Sequence, residues 1–416
     1  MDRTWPLHLV IAGHPDHGKS TLIGRLLLDS GSIDAARVEE IGRLSRQAGF
    51  ENQWAFLVDH LEAERTDGLT IDTAQVFIRT RARALVLIDV PGHAHFLRNM
   101  ITGATRAEAA LLVVALDEGV RDQTRRHALL IALLGIRQVI VAANKIDLVD
   151  FSRERFEAVV LEVQQLLSSL SIEPLNIIPI SAARGDNMAS LADSTPWYDG
   201  PPLIEAIESL ATAPPERLPA RFSIQDSYAI DGRTCLAGRV LAGRVGETDS
   251  LTVYPTLDTV TVSEIVRFPA NHEPAETGEC VALCLEPASG AAGAQGVERG
   301  AVLVGETWNN PPAISQMITS RVFWWDPEPM RAGEDLILRC STQEAKVSVV
   351  EILRTIDSST LSIEEGRAER LDAPNVGDVV FAVDKPVVTE PFQRLGALGR
   401  LVLERKGVVA GAGIVL

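Results

Sequence analysis

Long hydrophobic runs are missing from this chain. The longest, Ala109 to Leu116 (AALLVVAL), has the length of a buried strand and falls far short of a membrane span. Met1 to Pro6 lead straight into a first apolar strand, without the basic region, apolar stretch or cleavage site of a secretion signal, so the sequence predicts a cytoplasmic protein with no membrane partner. Cysteine is scarce: Cys235, Cys280, Cys284 and Cys340 are too few and too scattered for a disulfide framework and are expected as buried free thiols. Cys280 and Cys284 share a strand-like segment, GECVALC, and His93 and His95 sit close together, but neither pair has the further ligands that would complete a metal set. Clusters of positive charge are also lacking. No stretch of five Lys/Arg occurs and the formal net charge is −17, so the footprint of nonspecific nucleic-acid binding is missing, although a local basic patch remains compatible with that balance.

What is present is a globular composition, 46% hydrophobic and 23% charged, in 416 residues, which is too long for one core. Up to about residue 208, apolar strand-like runs alternate with amphipathic helical ones: Leu7 to Ala12, Ala84 to Asp89, Ala109 to Leu116, Gln138 to Ala143 and Asn176 to Ile180. That alternation predicts an α/β domain, a mostly parallel sheet with helices on both faces and ligands at the carboxyl ends of the strands. The pattern then changes. ATAPPERLPARF, with Pro214, Pro215 and Pro219, reads as a linker, and WNNPPA around Pro311 and Pro312 as a second joint. Short Gly-punctuated strands such as Leu236 to Val240, Ser250 to Tyr254 and Thr259 to Val266 predict two small antiparallel β-barrels. The expected domains are residues 1–210, 217–307 and 311–416, with Ala288 to Gly296 as a mobile loop. In VFWWDPEP, Trp324 and Trp325 are adjacent on a strand and should point to opposite faces.

The chemistry is concentrated in the first domain. GHPDHGKS, Gly13 to Ser20, follows a strand and precedes the helical run Thr21 to Leu28, the context of a loop that holds nucleoside triphosphate phosphates. Gly13 and Gly18 let N–H groups turn inward, with His14, Pro15, Asp16 and His17 between them. Lys19 can reach the β/γ-oxygens, and the Ser20 hydroxyl, followed by Thr21, can ligate Mg²⁺. Asp89 closes the strand ALVLID and can hold Mg²⁺ through a water, and the Gly92 N–H can meet the γ-phosphate. His93, directly after it, is the candidate catalytic residue, orienting and polarising the attacking water. Thr70, in DGLTID, supplies a second hydroxyl to the metal, and residues 29 to 70 then form a switch that depends on the γ-phosphate. After the strand QVIVAA, the Asp147 carboxylate of NKID can pair with the N1–H and exocyclic amine of guanine, a pattern adenine does not offer. A mismatch of this kind can cost roughly 10⁴-fold in selectivity. Lys145 can lie along the base, Asn144 can tie this loop to the phosphate loop, and Ser181 and Ala182 can offer an N–H to the guanine carbonyl. The cofactors expected are GTP/GDP and Mg²⁺.

GHPDHGKST, ERTDGLTID, DVPGH with RNMITGAT, NKID, and GDNM followed by PWYDGP occur in the order and spacing of the translation-factor class of GTPases, which the chain resembles over its whole length. Within that class, LVDHLEAERTDGLTID, DQTRRHALLIALLGI, GDNMASLADSTPWYDGPPL and the C-terminal VTEPF and GAGIVL are similar to the large GTPase subunit of bacterial sulfate adenylyltransferase. That resemblance implies a P-loop GTPase domain followed by two β-barrels. It also implies a heteromer with a smaller ATP-using catalytic subunit, which makes adenylylsulfate while GTP hydrolysis drives the step. The alternative is an elongation-factor-like GTPase that delivers aminoacyl-tRNA or acts on the ribosome, or a related switch for another assembly, since GDNM, PWY and NMITGA also resemble the tRNA-carrying factor. Two residues depart from the pattern: His17 stands where the sulfate enzyme's GTPase usually has an acidic residue, and Pro15 where an aliphatic or small one is usual.

Overall fold

The computed structural model describes residues 6–33, 40, 43, 75–89, 107–211, 218–230, 233–267, 272–287, 297–306 and 311–416. The chain forms two compact units, one of Met1–Thr212 together with the short segment Ser358–Ser362, the other of Ala213–Asp357 and Ile363–Leu416. Among the described residues no helix is long and apolar enough to cross a membrane.

In the first unit, β1 (Leu7–Gly13) runs into a 3₁₀ turn, Pro15–His17, and then α1 (Lys19–Asp29). The edge strand β2 (Gln75–Arg79), β3 (Ala84–Asp89), β4 (Ala109–Ala115), β5 (Gln138–Asn144) and β6 (Asn176–Pro179) complete a six-stranded sheet of order β2-β3-β1-β4-β5-β6. All pairings are parallel except β2 with β3. The helices α2 (Asp122–Leu133), α3 (Arg153–Ser169) and α4 (Leu203–Glu208) follow β4, β5 and β6 in the chain. Every residue of β4 is buried, which explains its unbroken apolar sequence: a parallel strand covered on both faces has no polar side to show. On α1, Leu22, Ile23, Leu26 and Leu27 repeat at helical spacing and join Leu7, Leu9 and Ile11 of β1 in one core. Because β1 lies between β3 and β4, the strand order reverses beside it, and the carboxyl ends of β1, β3, β4, β5 and β6 gather at a single edge. The five expected strands match these elements to within a residue at each end; β2, antiparallel at the edge and buried only at alternate residues, is additional.

The second unit contains two antiparallel barrels. One is a closed barrel formed by β7 (Arg221–Ile230), β8 (Arg233–Ala242), β9 (Ser250–Tyr254), β10 (Asp258–Val266), β11 (Cys280–Pro287) and β12 (Val302–Val304), around a core that includes Phe222, Leu236, Val253, Val262 and Leu283. The other uses β13 (Ala313–Trp324), β14 (Asp335–Cys340), β15 (Gln343–Ile356), β16 (Ile363–Ala368), β17 (Val376–Thr389), β18 (Arg400–Arg405) and β19 (Val408–Val415). Its order is β14-β18-β19-β13-β17-β15-β16, and pairing of β14 with β15 closes six of these strands on themselves. Trp324 is fully buried in this core and Trp325 is half-buried, each indole N–H donating to a backbone carbonyl. Cys235 and Cys284 face each other in register on β8 and β11 and form a disulfide, which corrects the expectation that both are free thiols. Cys340 remains a buried free thiol and Cys280 an exposed one. Between the barrels the Arg221 guanidinium donates to Glu390 at 2.7 Å with both side chains fully buried, beside an apolar seam of Ala242, Tyr254 and Val302 against Val388 and Leu398. The stretch 288–296, expected as a loop, lies outside the described residues.

Candidate nucleotide-binding site

The site is assembled from strand ends. Gly13 ends β1 with φ +148°, and a Cβ there would lie 2.3 Å from the Val113 carbonyl oxygen of β4. Only glycine lets the loop begin this close to its neighbouring strand. At the far end of the loop Gly18 has φ +88°, and a Cβ would meet the Asn144 amide nitrogen at 2.5 Å. The spacing of the two glycines is therefore set by β4 and β5, against which the loop is pressed.

Lys19 opens α1 and curls back over the loop, its Nζ donating to Gly13 O at 2.8 Å and His14 O at 3.0 Å. Burial lowers its pKa, opposed by the nearby carboxylates of Asp89 and Asp16. Ser20 and Thr21 occupy the first turn of α1, and Asp89 ends β3, with Ile11 of β1 opposite Asp89 in the pairing. A buried ammonium, a first-turn hydroxyl and a strand-end carboxylate that electrostatically supports that ammonium suit a triphosphate with its magnesium ion. Thr70, Gly92 and His93 lie outside the described residues.

Asn144 is the hinge of the arrangement. Its Nδ2 donates to His17 O at 2.9 Å, and its Oδ1 accepts from Ala182 N at 3.0 Å, so one buried side chain joins the phosphate loop, the NKID loop and the loop after β6. This is the tie expected from the sequence. Lys145 follows in a left-handed conformation, φ +65°, with Nζ 3.6 Å from an Asp117 carboxylate oxygen. Asp147 stands half-buried in a short 3₁₀ turn, Ile146–Val149, and is available to a base lying along this edge. Ser181 is buried and its hydroxyl accepts from Arg184 N at 3.2 Å, while Gly185 N donates to Ser181 O at 2.7 Å, closing the turn that presents Ala182. The GDNM stretch buttresses that turn: Asn187 donates to Pro179 O at 2.7 Å and Thr195 Oγ1 at 2.9 Å.

Two histidines support the loop from below. His17 is fully buried, with Nδ1 3.3 Å from Val113 O, and desolvation lowers its pKa to about 4. His127, on α2, did not emerge from the sequence reading. Its Nδ1 accepts the Gly13 N–H at 3.0 Å, and complete burial lowers its pKa to about 3. The ring is therefore neutral, with its proton on Nε2, and it orients the first peptide of the phosphate loop. The only trace of this in the sequence is a histidine on the otherwise apolar face of a helix, a pattern that serves ordinary packing equally well.

The family described as "Elongation factor Tu GTP binding domain" matches residues 6–212, and "GTP-eEF1A C-terminal domain-like" matches residues 317–416. Elongation factor 1-alpha of Pyrococcus furiosus is 35% identical over 99% of this chain and 97% of its own length. The chain belongs to the elongation factor 1-alpha-like family of translation-factor-class GTPases. The factors of the same name from Pyrobaculum islandicum, 33% identical over 99% of this chain and 94% of its own, and from Nanoarchaeum equitans, 34% identical over 100% and 97%, extend the similarity. This elongation-factor-like GTPase binds GTP/GDP. The names of these relatives favour the translation-factor alternative over the resemblance to the sulfate-activating GTPase.

Proposed function

We propose that this GTPase is a translation-factor-like switch that binds aminoacyl-tRNA or acts on the ribosome in its GTP state and releases on hydrolysis. The observation that carries this reading is the similarity to elongation factor 1-alpha across the whole chain, barrels included. In this reading the loop Gly13 to Thr21 cradles the phosphates through its backbone N–H groups, including those of His14, Asp16, His17 and Gly18 and not Pro15, with Lys19 on the β/γ-oxygens. Ser20, Thr70 and, through a water, Asp89 hold Mg²⁺, which when bound neutralises the phosphate oxygens. Gly92 reads the γ-phosphate and His93 orients the attacking water. Asn144, Lys145, Asp147, Ser181 and Ala182 select guanine. The residue ranges 1–210, 217–307 and 311–416 serve as nucleotide domain and two effector-binding barrels in a cytoplasmic protein.

Binding of aminoacyl-tRNA and of ribosomes to the chain loaded with a non-hydrolysable GTP analogue, compared with GDP, tests this. Preference of either partner for the triphosphate state is expected; equal or no binding of both contradicts it. A second reading, the GTPase subunit of a sulfate adenylyltransferase heteromer, is favoured by the net charge of −17 and the absence of Lys/Arg runs, which suit a protein partner better than RNA. In that case the partner retained on purification uses ATP and sulfate.

A further inference from the structure

The phosphate loop and the end of β4 share a cluster that the nucleotide does not account for. His14, His17 and Glu118 each offer one ligand atom, and the three atoms lie within 4.8 Å of one another. The fully buried His17 ring places Nδ1 3.3 Å from Val113 O, a contact that a protonated Nδ1 satisfies. In the neutral ring that tautomer leaves a lone pair on Nε2, and Nε2 has no hydrogen-bond partner. It faces Glu118 Oε2 at 3.8 Å. An imidazole lone pair and a carboxylate oxygen thus converge with no proton between them, an arrangement that a cation resolves.

We propose that His14, His17 and Glu118 form a site for one divalent transition-metal ion of the zinc class, with water as the fourth ligand. Two imidazoles and one carboxylate are a borderline N/O donor set, which suits such an ion better than Mg²⁺ or Ca²⁺. Ligands about 2.0–2.2 Å from a tetrahedral metal stand roughly 3.3 Å apart, so the His17 and Glu118 atoms need only side-chain adjustment. His14 is half-buried, its ring centroid is 4.9 Å from that of His17, and its Nδ1 makes only a long 3.4 Å contact with Asp16 N, which leaves the ring free to turn inward. Two cations already attend Glu118: Arg121 Nε at 3.3 Å from Oε2 and Lys145 Nζ at 4.0 Å from Oε1. The Arg121 side chain is 53% exposed and can yield to a metal at little cost. The donors are distinct from Ser20 and Asp89, and the bound ion fastens the 3₁₀ turn of the loop to the end of β4.

The test is a Zn²⁺ titration of the metal-stripped full chain with GDP and excess Mg²⁺ present, followed by Co²⁺ substitution read by visible absorption. One equivalent of Zn²⁺ is expected, with affinity falling at least tenfold in Glu118→Gln and in His14→Asn, and an intense tetrahedral Co²⁺ spectrum in the wild type. Glu118→Gln should keep its fold by circular dichroism and its GDP affinity, so the loss reports the ligand itself. Lack of Zn²⁺ uptake, a weak octahedral Co²⁺ spectrum, or uptake unchanged in Glu118→Gln overturns the proposal. If His14→Asn fails to bind GDP, Glu118→Gln and the wild-type spectrum decide the matter.

Discussion

At the scale of single residues, the proposed nucleotide site depends on side chains that hold backbone in place. Asn144 donates to His17 O and accepts from Ala182 N, and replacing it removes both bonds while leaving two backbone groups without partners. At about 1 kcal/mol for each bond, Asn144→Ala should weaken GDP binding by roughly 30-fold, as measured by nucleotide titration. His127 acts in the same way through a protonation state. Its pKa falls from the ordinary 6.5 to about 3 because burial penalises the charged ring. The unfolded chain therefore takes up a proton before the native domain does, so the stability contributed by the neutral ring is complete above about pH 6.5 and is lost as pH falls toward 3. Between pH 7 and pH 4 this loss amounts to about 3 kcal/mol. Chemical denaturation across that range should show a smaller decline for His127→Gln than for the wild type; parallel declines would contradict the assignment. In the native domain the ring gains its proton, and the Gly13 N–H loses its acceptor, only near pH 3, so the GDP affinity of the folded protein should hold between pH 7 and pH 4 while its stability declines.

At the scale of elements, hydrophobic pattern and glycine placement made the nucleotide domain legible. The fully buried strand β4 has an unbroken apolar sequence, and α1 carries its core residues at helical spacing. Gly13, Asp89 and Asn144 fall at the carboxyl ends of β1, β3 and β5, where a parallel sheet leaves its loops. Contacts between distant segments left no such trace. β2 was missed because QVFIR is short and only half-buried, and the pairing of Cys235 with Cys284 depends on the register of β8 against β11, which no local pattern encodes. In the cluster of His14, His17 and Glu118 the two histidines share one loop, but Glu118 is brought to them by the pairing of β1 with β4, which no spacing encodes. Arg221 and Glu390 are a further case, 169 residues apart and fully buried between the barrels, with Arg394 also 3.2 Å from Glu390. Removing Arg221 leaves the buried Glu390 carboxylate with Arg394 alone, so Arg221→Ala should destabilise the barrel pair in urea unfolding, by less than the about 3–5 kcal/mol of a fully stranded charge. The double replacement Arg221→Met with Glu390→Leu should cost less than that single change, because no buried carboxylate is left behind and Arg394 is partly exposed.

At the scale of the whole molecule, one nucleotide domain and two barrels match elongation factor 1-alpha from end to end, yet the chain carries a net charge of −17. Motifs legible in the sequence were sufficient for the GTPase class, because phosphate and guanine recognition require particular residue types at fixed places. The partner was not legible in the same way, since effector surfaces are built from exposed residues of several elements and have no fixed spacing. In the proposed switch hydrolysis is coupled to that partner, and GTP turnover by the purified chain measures the coupling most directly. Turnover with ribosomes and aminoacyl-tRNA should rise well above the basal rate, and His93→Ala should lower the stimulated rate by roughly 10²–10⁴-fold while GTP still binds. Turnover that ribosomes leave unchanged, and that rises instead with ATP and sulfate in the presence of a copurifying subunit, would contradict it.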